Sequence, residues 1–237
     1  MVTVYWSPWY PSDTYASMHL LYDEPVSLLQ DIKYQQNKEN KKENWFQCHA
    51  FLHNVKNTFV LKFPSPISFH IDKDFGIVSS DYGKSDISVV ANKQPSVTDA
   101  YTFSILNNWI FWSEESLEIT STPAYLHKPV FDGYYVPGSF NINSWFRPLE
   151  AAIQLNEKSN YVEIKRNDPM AYVKFHTNEP VVLKRFNLSN ELIQLSQGCI
   201  NYKRFEPNKG LSFLYKKFHA NGMSKLISKE ITKNIIN

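Results

Sequence analysis

Cysteine is almost missing from this chain: its 237 residues include only Cys48 and Cys199. One thiol pair cannot supply the several bridges on which small secreted folds rely, so both thiols are expected free, in a reducing compartment. Long apolar runs are missing too. No window approaches the roughly 18 to 20 consecutive apolar residues of a membrane helix. The opening MVTVYWSPWY has neither the basic start nor the apolar stretch of a secretory signal. The expected protein is therefore neither membrane-spanning nor secreted. Glycine is scarce, at 7 residues, and none falls in a phosphate-cradling loop. Neither G-x-S-x-G nor His-Glu-x-x-His occurs, and the serines and histidines show no local order from which a triad can be read. These absences weigh against an enzyme without deciding the matter, because triads assemble across space.

What the chain does have is a folding composition. Apolar residues make up 43% and charged residues 20%, which excludes a disordered polar chain. Aromatics reach 15%, and such side chains suit half-buried pleated surfaces. Val2, Val4 and Trp6 alternate as a first strand, ended by Pro8 and Pro11. Pro25 ahead of Val26, Leu28, Leu29 and Ile32 predicts a short helix that runs into the polar stretch 35–44. Phe59, Leu61 and Phe63 alternate, as do Ile67, Phe69 and Ile71 after a Pro-Ser-Pro break, so 45–79 reads as a meander. Residues 100–120 alternate through Tyr101, Phe103 and Ile105, then Trp109 and Phe111, then Leu117 and Ile119, with turns expected at Leu106-Asn107-Asn108 and at Glu114-Glu115 between paired antiparallel strands. Further strands are expected at Leu149 to Leu155, Tyr161 to Lys165, Met170 to Phe175 and Val181 to Phe186, parted by turn residues. Short strands at near-regular spacing predict a mainly β fold: an antiparallel sandwich or jelly-roll-like barrel over residues 1–186.

After Phe186 the period becomes helical. Leu188, Leu192 and Leu195 share one face, with Asn187 or Ser189 as cap and Gly198 past the end. Leu211, Leu214 and Phe218 form a second stripe, stopped at Asn221-Gly222, and Ser224 caps a last helix carrying Ile227, Ile231 and Ile235. Residues 187–237 thus read as a helical C-terminal extension packing on the β core. Its surface differs in charge: residues 184–237 carry a net +7 and the rest a net −5. Lys225, Lys229 and Lys233 line one face; with Lys203, Arg204 and the aromatics Tyr202, Tyr215 and Phe218 they offer a nucleic-acid surface. A pI near 8.3 is below the range of strongly basic binding domains. A protein partner or homo-oligomer, docking on the apolar line 227/231/235, is the preferred reading.

Three groups of residues could carry chemistry. Cys48, His49 and His53 offer zinc-type donors, but a structural zinc needs four ligands and no second pair sits at finger spacing. His70 and Asp72 lie two apart, on one face of a strand, and His176 would complete a two-His, one-carboxylate iron site. One such spacing among 7 histidines is weak, so no cofactor is expected, with iron or zinc as the alternative. Arg147 can clamp Glu150 or Asp168 in a bidentate pair, or bind a phosphate or carboxylate ligand. The clamp is the preferred reading.

Segment 137–186, PGSFNINSWFRPLEAAIQLNEKSNYVEIKRNDPMAYVKFHTNEPVVLKRF, resembles a domain family of tailed marine phages and some bacteria. The block Trp145 to Glu150, the Asp168-Pro169 turn, the strand Ala171 to Phe175 and the stretch Asn57 to Pro66 carry that resemblance, which implies no particular activity. A more distant likeness is to the trimeric deoxyuridine triphosphatase and deoxycytidine triphosphate deaminase barrel. There a Gly-x-x-Asp loop supplies the catalytic carboxylate, whereas Gly138 is here followed by Asn141, and an amide cannot act as a general base. The family's Asp-Arg-Ile-Ala-Gln type strand entry reads Asp168-Pro-Met-Ala-Tyr172 here. The resemblance implies a similar barrel at most. The expected function is a non-enzymatic phage accessory or virion-associated binding protein, in the host cytoplasm or on the particle. The alternatives are a metal-dependent iron or zinc enzyme in a barrel mouth, and a nucleotide-binding barrel that has lost catalysis.

Overall fold

Strand β1 (Val2–Trp9) alternates, but both of its alternating sets contribute apolar side chains to a core. Val2, Val4 and Trp6 enter one core, and Tyr5 and Trp9 another. Strand β7 (Thr102–Trp112) repeats the pattern: Phe103, Ile105, Trp109 and Phe111 face the first core, Ile110 and Trp112 the second. Strands with two apolar faces must be covered on both. The computed structural model supplies both covers; it describes residues 1–9, 18–39, 44–72, 76–82, 87–88, 102–156, 159–202 and 206–236.

A first sheet forms around these strands in the order β14 (Val181–Arg185), β1, β7, β11 (Leu149–Leu155), β9 (Gly133–Tyr135). β1 and β14 run parallel, with Val4 opposite Leu183, and the other pairs are antiparallel. β6 (Ile87–Ser88) extends the β1 side of β7. Gly133 is required where β9 meets β11, since a Cβ there would stand 2.4 Å from the Gln154 carbonyl oxygen. A second, antiparallel sheet has the order β10 (Gly138–Asn141), β8 (Glu118–Pro123), β13 (Pro169–Phe175), β3 (Thr58–Lys62), β2 (Val26–Ser27). The third is β12 (Tyr161–Ile164), β4 (Ile67–Asp72), β5 (Gly76–Tyr82). Leu61, Val173 and Phe175 of the second sheet and Ile67, Phe69 and Val162 of the third join Trp6 and Phe111 in one core. The fold is mainly β, but the expected barrel is corrected: the described strands form three open sheets, and helices pack on the outer faces of the first two.

Helices α1 (Leu28–Glu39) and α2 (His49–Val55) cover the outer face of the second sheet, where Leu28 and Val55 pack with Val60 and Tyr172. The meander expected over 45–79 therefore begins too early. Phe51 and Val55 are four apart, so one helical turn brings both to the sheet, and strand alternation starts only beyond Asn57. Asn57 takes φ of 54°, a left-handed turn that asparagine tolerates better than most residues.

Helices α3 (Asn190–Asn201), α4 (Leu211–Phe218) and α5 (Ser224–Lys233) form the C-terminal layer. Ser189 Oγ accepts from the Leu192 amide at 3.3 Å and caps α3. Gly198 lies inside α3 against the Phe218 ring rather than past its end. Gly222 does not stop the chain either. A π-helical turn over His219–Met223 links α4 to α5, with Gly222 supplying φ of +85°. Ser224 opens α5 and does not cap it. Ile227 and Ile231 are fully buried with Trp9, Trp112, Phe186 and Leu192. Ile235 then bridges Phe186, and the Ile236 amide donates to Arg185 O at 3.0 Å. The apolar line 227/231/235 is thus covered by the protein's own first sheet and is not free for a partner. Lys225, Lys229 and Lys233 face solvent, Lys233 paired with Glu230 at 2.6 Å. Lys203 and Arg204 lie outside the described residues, as do Pro11 and most of 83–101. No described helix is long and apolar enough to cross a membrane.

Burial of the α5 face makes a quantitative expectation. Ile231→Ala should lower stability by about 2 to 4 kcal/mol in urea unfolding. Leu226→Ala, on the exposed side at 50% exposure, should change it by less than about 0.5 kcal/mol. Equal, small effects would mean that the helix does not belong to the core.

Candidate functional site

Arg147 enters β11 beneath α4 and is 7% exposed. Its Nη1 donates to Tyr215 Oη at 2.6 Å, and its Nη2 pairs with Glu150. The guanidinium carbon lies 5.0 Å from the Trp145 ring and 5.9 Å from that of Tyr215. The charge is used inside the protein, tying β11 to α4. Asp168 takes no part: its Oδ2 accepts from the Lys165 amide at 2.8 Å in the β12–β13 turn, where Asn167 has φ of 68°.

Beside Arg147 lies a pair that looks catalytic. Cys199 Sγ is 3.9 Å from His219 Nε2. Nucleophilic use would require a thiolate and an imidazolium. Burial pushes the thiol up to about 12, against the pull of Arg147 and the Phe146 amide, and pushes the imidazole down to about 4. The proton therefore stays on sulfur. His219 stacks on Trp112 at 5.4 Å and serves the core.

A third cluster joins four segments. Asp31 of α1 is buried; its Oδ1 accepts from Lys62 Nζ at 2.7 Å, and its Oδ2 contacts His127 Nε2 at 2.7 Å and Gln35 Nε2 at 2.9 Å. His127 Nδ1 meets Tyr172 Oη at 2.5 Å, which also accepts from the Leu126 amide at 3.1 Å. Burial would raise the Asp31 pKa, but the hydrogen bonds and charges of His127 and Lys62 outweigh it and hold the carboxyl at about 2. Burial raises the Tyr172 phenol. Both His127 nitrogens are engaged, and His127 lines an adjoining cleft of about 190 Å³ with Tyr125, Lys128 and Tyr134. Sequence reasoning missed this cluster. The one available signal was an acidic residue on the apolar stripe of α1, between Leu28 and Ile32.

The described residues do not bring the expected iron ligands together. His70 of β4 stacks on Tyr161 of β12 at 4.5 Å in the third sheet. His176 follows β13 in the second sheet and bonds Thr120 Oγ1 at 2.7 Å. The Asp72 side chain lies outside the described residues. Cys48, His49 and His53 lie at the start and end of α2, and no described group of three His, Cys, Asp or Glu residues is placed to hold a metal. Two of the candidates do meet, in a different site. His53 and His176 line one cleft of about 300 Å³ with Lys56 and Lys174.

Asn57 ties the two walls of this cleft together. Asn57 Nδ2 donates to Thr177 O at 2.9 Å and Glu179 O at 2.8 Å, and its Oδ1 accepts from the Val181 amide at 3.3 Å. The left-handed turn after α2 is thereby stapled to the β13–β14 turn. Lys56 Nζ donates to Asn178 O at 2.6 Å, and Lys174 Nζ to Asn54 O at 2.8 Å, so each ammonium sits on a neutral oxygen. A larger cleft of about 400 Å³ beside Trp145 lacks this character. Its Asn141 and Asn143 amides donate to Ser116 Oγ and to the carbonyls of Ser113 and Glu114, and Trp145 packs on Phe140 and Arg147. In comparisons with known proteins, no family model, curated protein or solved structure matches the chain.

Two outcomes follow from the buried groups. A thiol reagent should titrate one cysteine quickly in the native protein, the exposed Cys48, and both only after unfolding; two fast native thiols would contradict the inert state of Cys199. In acid, His219 is neutral when folded down to about 4 but protonates near 6.5 when unfolded, so its contribution to stability is lost as pH falls from 6.5 toward 4. Asp31 is more acidic folded than unfolded, so its contribution is complete above 3.8 and lost as pH falls toward about 2. His219→Gln should flatten the upper limb of a stability-versus-pH curve. Asp31→Asn should flatten the lower limb and cost about 3 kcal/mol at neutral pH.

Proposed function

We propose that this protein acts by reversible binding and performs no turnover of its own. One observation carries the reading: the buried groups whose acidity is displaced are all displaced away from neutrality. Asp31 moves to about 2, His219 to about 4, and Cys199 and Tyr135 to about 12, each chiefly set by burial or by its buried partners. General acid–base work needs a group poised near the working pH and within reach of a bound molecule. These groups are fixed in one protonation state and enclosed.

The cleft of His53, Lys56, Lys174 and His176 is the candidate for binding, since its polar groups are turned to the surface. Sheets that share one interior, in the manner of a sandwich, support a rigid scaffold for it. The resemblance of 137–186 to the phage family supports a setting in phage infection, as an accessory protein in the host cytoplasm or as a component of the particle.

Protein purified without a histidine tag is expected to carry less than about a tenth of an equivalent of iron or zinc. A content near one equivalent would favour the metal-enzyme alternative and sink the binding reading. Quantitative mass spectrometry of particles from a phage encoding the chain then separates its two settings. A fixed copy number per particle marks a virion component, and detection only in infected cells marks an intracellular factor.

A further inference from the structure

We infer that the cleft between the end of α2 and the β13–β14 turn binds an anion of the phosphate class. The inference rests on the binding reading and names the ligand chemistry of that same cleft. Two lysine ammoniums enter it, and neither has a carboxylate partner among the described residues. Lys56 Nζ is held by Asn178 O at 2.6 Å, and Lys174 Nζ by Asn54 O at 2.8 Å and Asn54 Oδ1 at 3.3 Å. Neutral acceptors fix the position of a cation without cancelling its charge. An ammonium has three protons, so each lysine keeps a donor for a ligand. No Asp or Glu lines the cleft.

The histidines extend the donor set. His53 ends α2 with an exposed ring. His176 Nε2 lies 2.7 Å from Thr120 Oγ1, which lies 2.7 Å from Ser139 Oγ. With Ser139 donating to Thr120 and Thr120 to Nε2, the imidazole proton sits on Nδ1 and serves as a further donor. Two fixed cations and imidazole N–H donors around a hollow match a dianion with several oxygens, as in a phosphate monoester. A volume of about 300 Å³ leaves room for an organic group beyond the phosphate itself. Preorganisation comes from Asn57, whose three side-chain hydrogen bonds hold the two walls together before any ligand arrives.

The competing explanation makes both lysines mere staples, one for the α2 end and one for the turn. Titration with inorganic phosphate and with phenyl phosphate separates the two. Wild-type protein should bind phenyl phosphate by calorimetry, and the ring signals of His53 and His176 should shift in nuclear magnetic resonance spectra while that of His70 stays in place. Lys56→Met with Lys174→Met should weaken binding at least about tenfold, and the paired Lys→Arg variants should retain it within about threefold. Lys225→Met with Lys229→Met should leave it unchanged. No binding by folded wild-type protein at about 10 mM phenyl phosphate overturns the site, as does full binding by the Met pair. If the Met pair does not fold, the wild-type histidine signals decide: unmoved His53 and His176 overturn the site. Failure here leaves the binding reading intact, whereas that reading falls on metal content and not on phosphate.

Discussion

The constraint on which the structure depends is a sheet that is apolar on both sides. Trp9, Ile110 and Trp112 on one face of the first sheet are as buried as Val4, Trp6 and Phe111 on the other. At about 25 cal/mol per Å² of apolar surface, leaving either face in water would forfeit several kcal/mol. The inner face is met by the other two sheets, and the outer face by Ile227 and Ile231 of α5 and Leu192 of α3. Trp112 adds a directional tie, its Nε1 donating to Ser228 Oγ at 3.1 Å. Docking these helices also lowers α4 onto the segment before β11, which takes Arg147 out of water. Tyr215 and Glu150 are then needed to answer its charge.

The second sheet meets the same requirement with α1 and α2, and its charges follow from where that cover begins and ends. Asp31 rides on the inner face of α1 and is carried to the sheet with Leu28. Lys62 answers its charge and His127 hydrogen-bonds it there, because a buried carboxylate without partners would not be tolerated. At the end of α2 the cover stops. Lys56 and Lys174 stand at that margin, where water still solvates them, and hydrogen bonds to neutral oxygens suffice. Paired charges under the helices and unpaired charges at their edge are two results of one layering.

The local parts of this plan were legible in the sequence. Alternation located β1 at Val2 to Trp6 and the two ends of β7 at Phe103 to Ile105 and Trp109 to Phe111, but the turn expected at Leu106-Asn107-Asn108 is instead the middle of one strand; the spacing of Leu188, Leu192, Ile227 and Ile231 located the outer helices. The apolar residues in the other phase, Tyr5, Trp9, Ile110 and Trp112, were the sign that the sheet needs a second cover. Without those residues the line of isoleucines reads as a partner's surface, whereas the first sheet claims it. Residues 49–55 were misread because one helical turn offers too few apolar positions to set a period. Of the site residues, only Arg147 and Glu150, three apart, could be paired by spacing. Asp31 and His127 are 96 residues apart, and Asn57 reaches a turn 120 residues on. Contacts of that kind depend on sheet register, which one sequence does not display.

Burial and exposure divide the ionisable groups by what each can do. A group under a helical layer gains a fixed orientation and loses its response to pH, because desolvation and close partners both hold it in one protonation state. A group at the margin keeps its charge and its access to water but borrows orientation from the backbone. Among the described residues, the enclosed ionisable groups are Cys199, His219 and the Asp31 cluster, and the accessible ones include His53, Lys56, Lys174 and His176. Recognition needs only the second set, provided something rigid holds it. Asn57, anchored between two sheet turns, provides that rigidity where the helical cover gives out.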